Sequence, residues 1–158
     1  MERPRWRFTL NYRIHQKLQF GVEYNPVAKE VSPLFNLFLM TEGEGIWRPA
    51  LFLGASSDRI SSPADKQAYF LTLSKGWQTL PVSVYATLNY SEWNKELGKT
   101  SVNSPFGMTV NLGQYLSVRP MYDGDRFHLM LNYFVDHYGI SLMCIWLEKA
   151  GISTSVQF

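Results

Sequence analysis

The chain is poor in the features that usually announce chemistry. It has a single cysteine, Cys144, in 158 residues, which excludes an intrachain disulfide framework and a cysteine-based zinc site. Charged residues make up 18%, against roughly 25% in ordinary soluble domains, and the net charge of +2 is too small to point to nucleic acid. No apolar run approaches the roughly 20 residues that a transmembrane helix needs. The opening Met1-Glu2-Arg3-Pro4-Arg5-Trp6 lacks the apolar segment of a secretory signal. Walker A, GxGxxG, HExxH and GxSxG patterns are all missing, so no phosphate cradle, zinc helix or nucleophile elbow is written into the chain. No segment shows a convincing helical period.

What is present is alternation. Trp6, Phe8, Leu10, Tyr12 and Ile14 interleave with Arg7, Thr9, Asn11, Arg13 and His15. Leu18, Phe20, Val22 and Tyr24 then interleave with Gln19, Gly21, Glu23 and Asn25. Successive side chains of a strand point to opposite faces, so each segment has one apolar and one polar face. Only Gln16 and Lys17 and their neighbours separate the two, which predicts a hairpin. Placing Ile14 opposite Leu18 sets Thr9 against Glu23 and Arg7 diagonal to Glu23. Weaker segments follow near Leu34–Thr41, Trp47–Ser56 and Gln67–Ser74. The alternation sharpens over 82–91, 106–113, 116–123 and 126–135, and ends with Tyr138–Leu147 and the terminal Ile152–Phe158. The reading is an all-β single domain over 1–158 with about eleven visible strands, nearly all in hairpins.

Alternation does not say which face is inside, because a soluble ligand-binding barrel of the lipocalin kind carries its apolar side inward. Three observations favour the apolar face outward. All seven lysines, Lys17, Lys29, Lys66, Lys75, Lys95, Lys99 and Lys149, fall in connections or at strand ends, whereas a water-facing sheet exterior normally carries them on its strands. The polar face is rich in Gly, Ser, Thr and Asn, which suits a crowded wet interior. Trp6, Tyr24, Trp47, Tyr90, Trp93, Tyr115, Tyr122, Tyr133, Tyr138 and Trp146 cluster near segment ends, as the aromatic girdles of a membrane barrel do. Cys144, on the apolar parity, reads as a small packed or lipid-facing residue.

The last seven residues, Ile152-Ser153-Thr154-Ser155-Val156-Gln157-Phe158, form a final strand that stops on an aromatic. Together with Gly21-Val22-Glu23-Tyr24-Asn25-Pro26, Arg48-Pro49-Ala50-Leu51-Phe52-Leu53-Gly54 and Pro120-Met121-Tyr122-Asp123-Gly124, they make the whole chain resemble small bacterial outer-membrane β-barrel proteins of unassigned function. The resemblance implies an antiparallel up-and-down transmembrane β-barrel of roughly ten to twelve strands. It implies location in the bacterial outer membrane, contact with outer-membrane lipid and lipopolysaccharide, and recognition of the C-terminal strand by the barrel-assembly machinery. It brings no catalytic or binding residues with it. No cofactor, metal or nucleic acid is expected.

The longer connections read as 25–33, 57–66 and 91–105, and the shorter ones as 15–17, 42–46, 75–81 and 113–114. Outer-membrane barrels have short periplasmic turns and longer extracellular loops, so the first strand would run inward from the outside. That parity, with the absent signal segment, leads to the expectation that a signal peptide and one strand of about ten residues precede this sequence, for about twelve strands in all; the alternative is a ten-stranded barrel with two segments merged. The connection holding Trp93, Lys95, Glu96 and Lys99 reads as a solvated loop, with a surface partner or lipopolysaccharide as the alternative.

The candidate lumen-lining residues are the ionisable groups of the polar face: Arg7, Arg13, Glu23, Arg48, Arg119, Arg126 and His128, with Asp123 beside them. In an open pore such residues set ion preference, and an excess of Arg favours anions; in a closed one they pair across the interior. His128 is placed with Asn132 and Asp136 in an interior polar network. Phe52, Phe70, Tyr85, Met121, Met130 and Phe134 are bulky side chains on the same face, and ten to twelve strands leave only a narrow lumen for them to fill. The expected function is therefore a narrow pore or a structural envelope protein without catalysis. A soluble apolar-ligand barrel and a lipid-modifying hydrolase are the alternatives; the latter lacks a His/Ser pair on the outer rim.

Overall fold

The structure is a computed structural model that describes residues 7–26, 29–41, 48–57, 66–77, 79–96 and 98–157, and for Ser57 and Trp93 the backbone alone. Trp6, Trp47, Phe158 and the connections over 42–47 and 58–65 lie outside the described residues. The strands are β1 (Phe8–His15), β2 (Leu18–Asn25), β3 (Glu30–Met40), β4 (Ala50–Ser57), β5 (Gln67–Gly76), β6 (Val82–Ser91), β7 (Val102–Asn103), β8 (Phe106–Asn111), β9 (Leu116–Tyr122), β10 (Phe127–Val135), β11 (Tyr138–Ile145) and β12 (Lys149–Val156), with one helix, α1 (Glu92–Glu96). They form one sheet in the order β1-β2-β3-β4-β5-β6-β8-β9-β10-β11-β12, with the two-residue β7 paired to β6. Every strand pair whose register is described is antiparallel. Among the described residues no ladder joins β1 to β12, so both are edge strands.

Two compact units divide the chain, one of Met1–Gly43, Pro49–Leu73 and Thr87–Asn103, the other of Glu44–Arg48, Ser74–Ala86 and Ser104–Phe158. In the first, the opening hairpin sets Thr9 opposite Glu23, and Arg7 Nη1 lies 3.3 Å from the Glu23 carboxylate, as the alternation predicts. The pairing of Ile14 with Leu18 is corrected: a bulge after Arg13 leaves Ile14 over and sets His15 opposite Leu18. A bulge inserts one unpaired residue and bends its strand.

The first long connection is also corrected. β3 begins at Glu30, paired with Asn25, so the link after β2 is only residues 26–29, with Lys29 at φ 52°. Pro33 hid this strand start, because proline removes a ladder donor and reads as a breaker. It is accommodated opposite Val22, at a point where the described pairing of β3 with β4, which starts at Phe35, has not begun.

The described part of the 91–105 connection contains a helix where the sequence has no helical period. Ser91 caps α1 by accepting from the Asn94 backbone N–H at 3.0 Å, which satisfies one of the donors that a helix start leaves open. Glu92 accepts from the Gln67 backbone N–H at 3.1 Å, and Glu96 pairs with Lys66. The returning chain pairs with β6 as β7, where Asn89 donates to Asn103 at 3.0 Å.

The second unit carries the most regular ladders. One apolar row runs Val82, Val110, Val118, Leu131, Leu142, Ile152 across six strands. On the other face Asn111, Ser117, Asn132, Ser141 and Ser153 form a row of small polar residues across five. Asn132 donates to the Ser117 hydroxyl at 3.3 Å.

Candidate functional site

Large apolar side chains on one face are exposed, while several polar side chains on the other are buried. Leu142 and Ile152 of the apolar row are 53% and 68% exposed, and Leu10 of β1 is 72% exposed. Among the described residues the buried apolar side chains are Leu34 and Ala68, while Glu23, Asn25, Glu30, Ser32, Thr72, Ser91, Asn94, Ser117 and Asn132 are buried polar ones. Thr72 and Thr87 hydroxyls meet at 2.9 Å on this polar face. Rings line strand ends on the exposed face. In the second unit Tyr122 lies between Phe106 and Phe127, with ring centres 5.3 and 5.1 Å away, and at the opposite strand ends Tyr115 approaches Tyr133 at 6.2 Å. In the first unit Tyr69 and Tyr90 are 6.5 Å apart.

Bulky side chains on the polar face rest against glycines of neighbouring strands. In the first unit Phe38, Phe52 and Phe70 form a chain of rings at 5.4 and 6.3 Å, and Phe70 lies where a Cβ on Gly54 would be. Tyr85 does the same at Gly107: a Cβ there would come within 2.8 Å of its ring and its hydroxyl oxygen. Phe134 lies against Gly139 but is exposed, which corrects its expected role as interior filling.

The seven candidate residues separate into different settings. Arg7 and Glu23 pair in the first unit. Arg13, on the edge strand opposite Gln19, and Arg48 are exposed, and the Arg48 carbonyl accepts from Lys75 Nζ at 3.4 Å. Arg119 stands over the Tyr85 ring, its guanidinium carbon 5.0 Å from the centroid.

Arg126 and His128 join a cluster built by two adjacent turns, 123–126 between β9 and β10 and 146–148 between β11 and β12. Asp123 is its hub. One carboxylate oxygen accepts from the backbone N–H groups of Asp125 and Arg126 at 2.8 and 2.7 Å. The other lies 2.8 Å from His128 Nε2 and accepts from the Trp146 indole at 3.2 Å. Arg126 stacks on Trp146 at 4.8 Å and reaches Glu148 at 3.4 Å. Burial of the Asp123 carboxyl would raise its pKa, but the Arg126 backbone, His128, Asp125 backbone and Trp146 hydrogen bonds outweigh it and lower the value to about 2.

The proposed link of His128 to Asn132 and Asp136 is thus corrected: His128 bonds Asp123, while Asn132 bonds Ser117 and Asp136 occupies a two-residue turn at φ 49°. Trp146 is likewise more than an interfacial ring. The alternation carries the penultimate strand on through Leu147, whereas β11 ends at Ile145, so the turn is not visible in the sequence. Trp146 and Leu147 form a tight turn at φ 55° and 57°, closed by the Glu148 N–H on the Ile145 carbonyl at 3.1 Å. No group of three or more metal-ligating side chains gathers among the described residues. Comparison with known protein families, with characterised proteins and with solved structures gives no match.

Proposed function

We propose that this chain is a membrane β-barrel of the outer-membrane type, a narrow pore whose apolar face meets lipid and whose polar face lines the lumen. The observation that carries the reading is the pattern of exposure: an apolar row from Val82 to Ile152 in which Leu131, Leu142 and Ile152 are exposed and the three valines half-exposed, against a polar row in which Ser117 and Asn132 are buried. Such a surface is unfavourable in water at roughly 25 cal/mol per Å² of apolar area and favourable in hydrocarbon. A soluble barrel would carry the same stripe inward, and the exposures run the other way.

Strand length and rim chemistry support the same reading. β6 and β10 have ten and nine residues, so at ~3.4 Å per residue and a tilt of roughly 40° they span about 25 Å, the height of an outer-membrane apolar band. The ring pairs at strand ends match interfacial girdles. Closing the sheet would satisfy the edges of β1 and β12, which in hydrocarbon would otherwise leave unpaired backbone groups costing several kcal/mol each. No helix among the described residues is long and apolar enough to cross a membrane. The aromatic side chains on the polar face make the lumen narrow, which favours small solutes.

The test is refolding of the full chain with and without detergent micelles, followed by heated and unheated electrophoresis and far-ultraviolet spectra. β-Structure and a heat-modifiable band that need detergent are expected, with small discrete conductance steps in a planar bilayer. A monodisperse β-protein in plain buffer would overturn the outward assignment of the apolar face. Folding in micelles without conductance would leave the structural envelope role.

A further inference from the structure

Most ionisable side chains of the polar face that face one another are matched. Arg7 meets Glu23, His128 meets Asp123 and Arg126 meets Glu148. Arg119 is different. It is half-buried, and no carboxylate among the described residues pairs with it. β6, β8, β9, β10 and β11 contain no Asp or Glu at all. Its register neighbour on β10 is Met130. The Arg119 Nε and the Tyr85 hydroxyl are both closed to solvent and without a hydrogen-bond partner.

A guanidinium whose Nε is closed to water needs an acceptor for that donor, and its charge a partner where it is withdrawn from solvent. The face of a tyrosine ring supplies part of that through cation–π attraction, and stacking on it holds the guanidinium plane, but it gives the buried Nε no acceptor. Room for the ring comes from Gly107, opposite Tyr85, where any side chain would collide with it. Two orphaned donors, one positive charge and no paired acid among the described residues define the complement: a small oxyanion that accepts bidentate hydrogen bonds.

We propose that Tyr85 and Arg119 form a binding site for a small oxyanion, with phosphate and carboxylate groups sharing the required chemistry. Its placement in a lumen rests on the pore reading, where one such site would impose anion preference; the binding itself does not depend on conduction.

The experiment is calorimetric titration of inorganic phosphate into the folded full chain, in micelles or in buffer according to where it folds, at constant ionic strength set with chloride. Saturable binding is expected, weakened roughly tenfold or more in R119Q, with R119K intermediate because it keeps the charge and loses the fork. Y85F, which keeps the ring, should cost a few-fold. Spectra and the heat-modifiable band establish that each variant is folded. Absence of saturable phosphate binding by the wild type, or equal affinity in folded R119Q, would overturn the site. Bilayer conductance separates the two ideas: phosphate binding without conductance sinks the pore and leaves the site, and conductance without phosphate binding does the opposite.

Discussion

At the scale of single residues, Asp123 and the polar-face glycines are where the chain is least tolerant. The Asp123 carboxyl is lowered from 3.8 to about 2, so its contribution to stability is fully present above pH 4. That contribution is lost as the pH falls through 3.8 toward 2, since the unfolded chain takes up the proton first. Allowing for solvent screening of a half-exposed group, about 1 kcal/mol is expected. Urea midpoints measured between pH 5 and 2 should fall less steeply for Asp123→Asn than for the wild type; parallel curves would remove Asp123 from the hub. At Gly54, where Phe70 occupies the space of a Cβ, Gly54→Val should destabilise by about 1–3 kcal/mol through overpacking, read from the same denaturation. The sequence placed Asp123 and Phe70 on the polar face. It did not disclose Phe70 over Gly54 or Trp146 on Asp123, because those contacts depend on register between strands.

Individual elements show where local pattern suffices and where it fails. The opening hairpin was legible down to Thr9 against Glu23, since a two-residue link leaves few registers that keep the apolar faces together. The bulge at Ile14 was not, because an extra residue leaves alternation on either side intact. α1 spans five residues, too few for a helical period to repeat, and its existence depends on the Ser91 cap and the bonds of Glu92 and Glu96. Ser91→Ala should cost about 1 kcal/mol locally, seen as faster proteolysis within 92–105 while the heat-modifiable band persists. The turn closing β11 and β12 holds exposed Leu147 at φ 57°, a conformation that costs a residue with a Cβ roughly 1–2 kcal/mol. Leu147→Gly should therefore raise the urea midpoint, equivalent to up to about 1 kcal/mol after the added chain entropy of glycine. A lowered midpoint would show that the Leu147 side chain makes a contact of its own.

For the whole molecule, the sharpest discriminator is a charge in the middle of the apolar row. Leu131 is exposed and flanked by Val118 and Leu142. On a water-facing surface Leu131→Arg is nearly neutral, within about 0.5 kcal/mol. On a lipid-facing strand it costs about 2–4 kcal/mol. Refolding yield and urea midpoint in lipid vesicles distinguish the two.

The sequence by itself determined that the chain is all-β and antiparallel, which residues share a face, and nearly all the strand positions, because the period of two is a local property of the backbone. It also contained the Arg7–Glu23 pairing, which follows from one short hairpin. Only the tertiary structure decided which face is exposed, that His128 and Trp146 meet on Asp123, and that Arg119 stands on Tyr85 with no carboxylate among the described residues paired to it. Those outcomes are set by register and by which side of the sheet neighbouring strands cover, and alternation is the same whichever side that is.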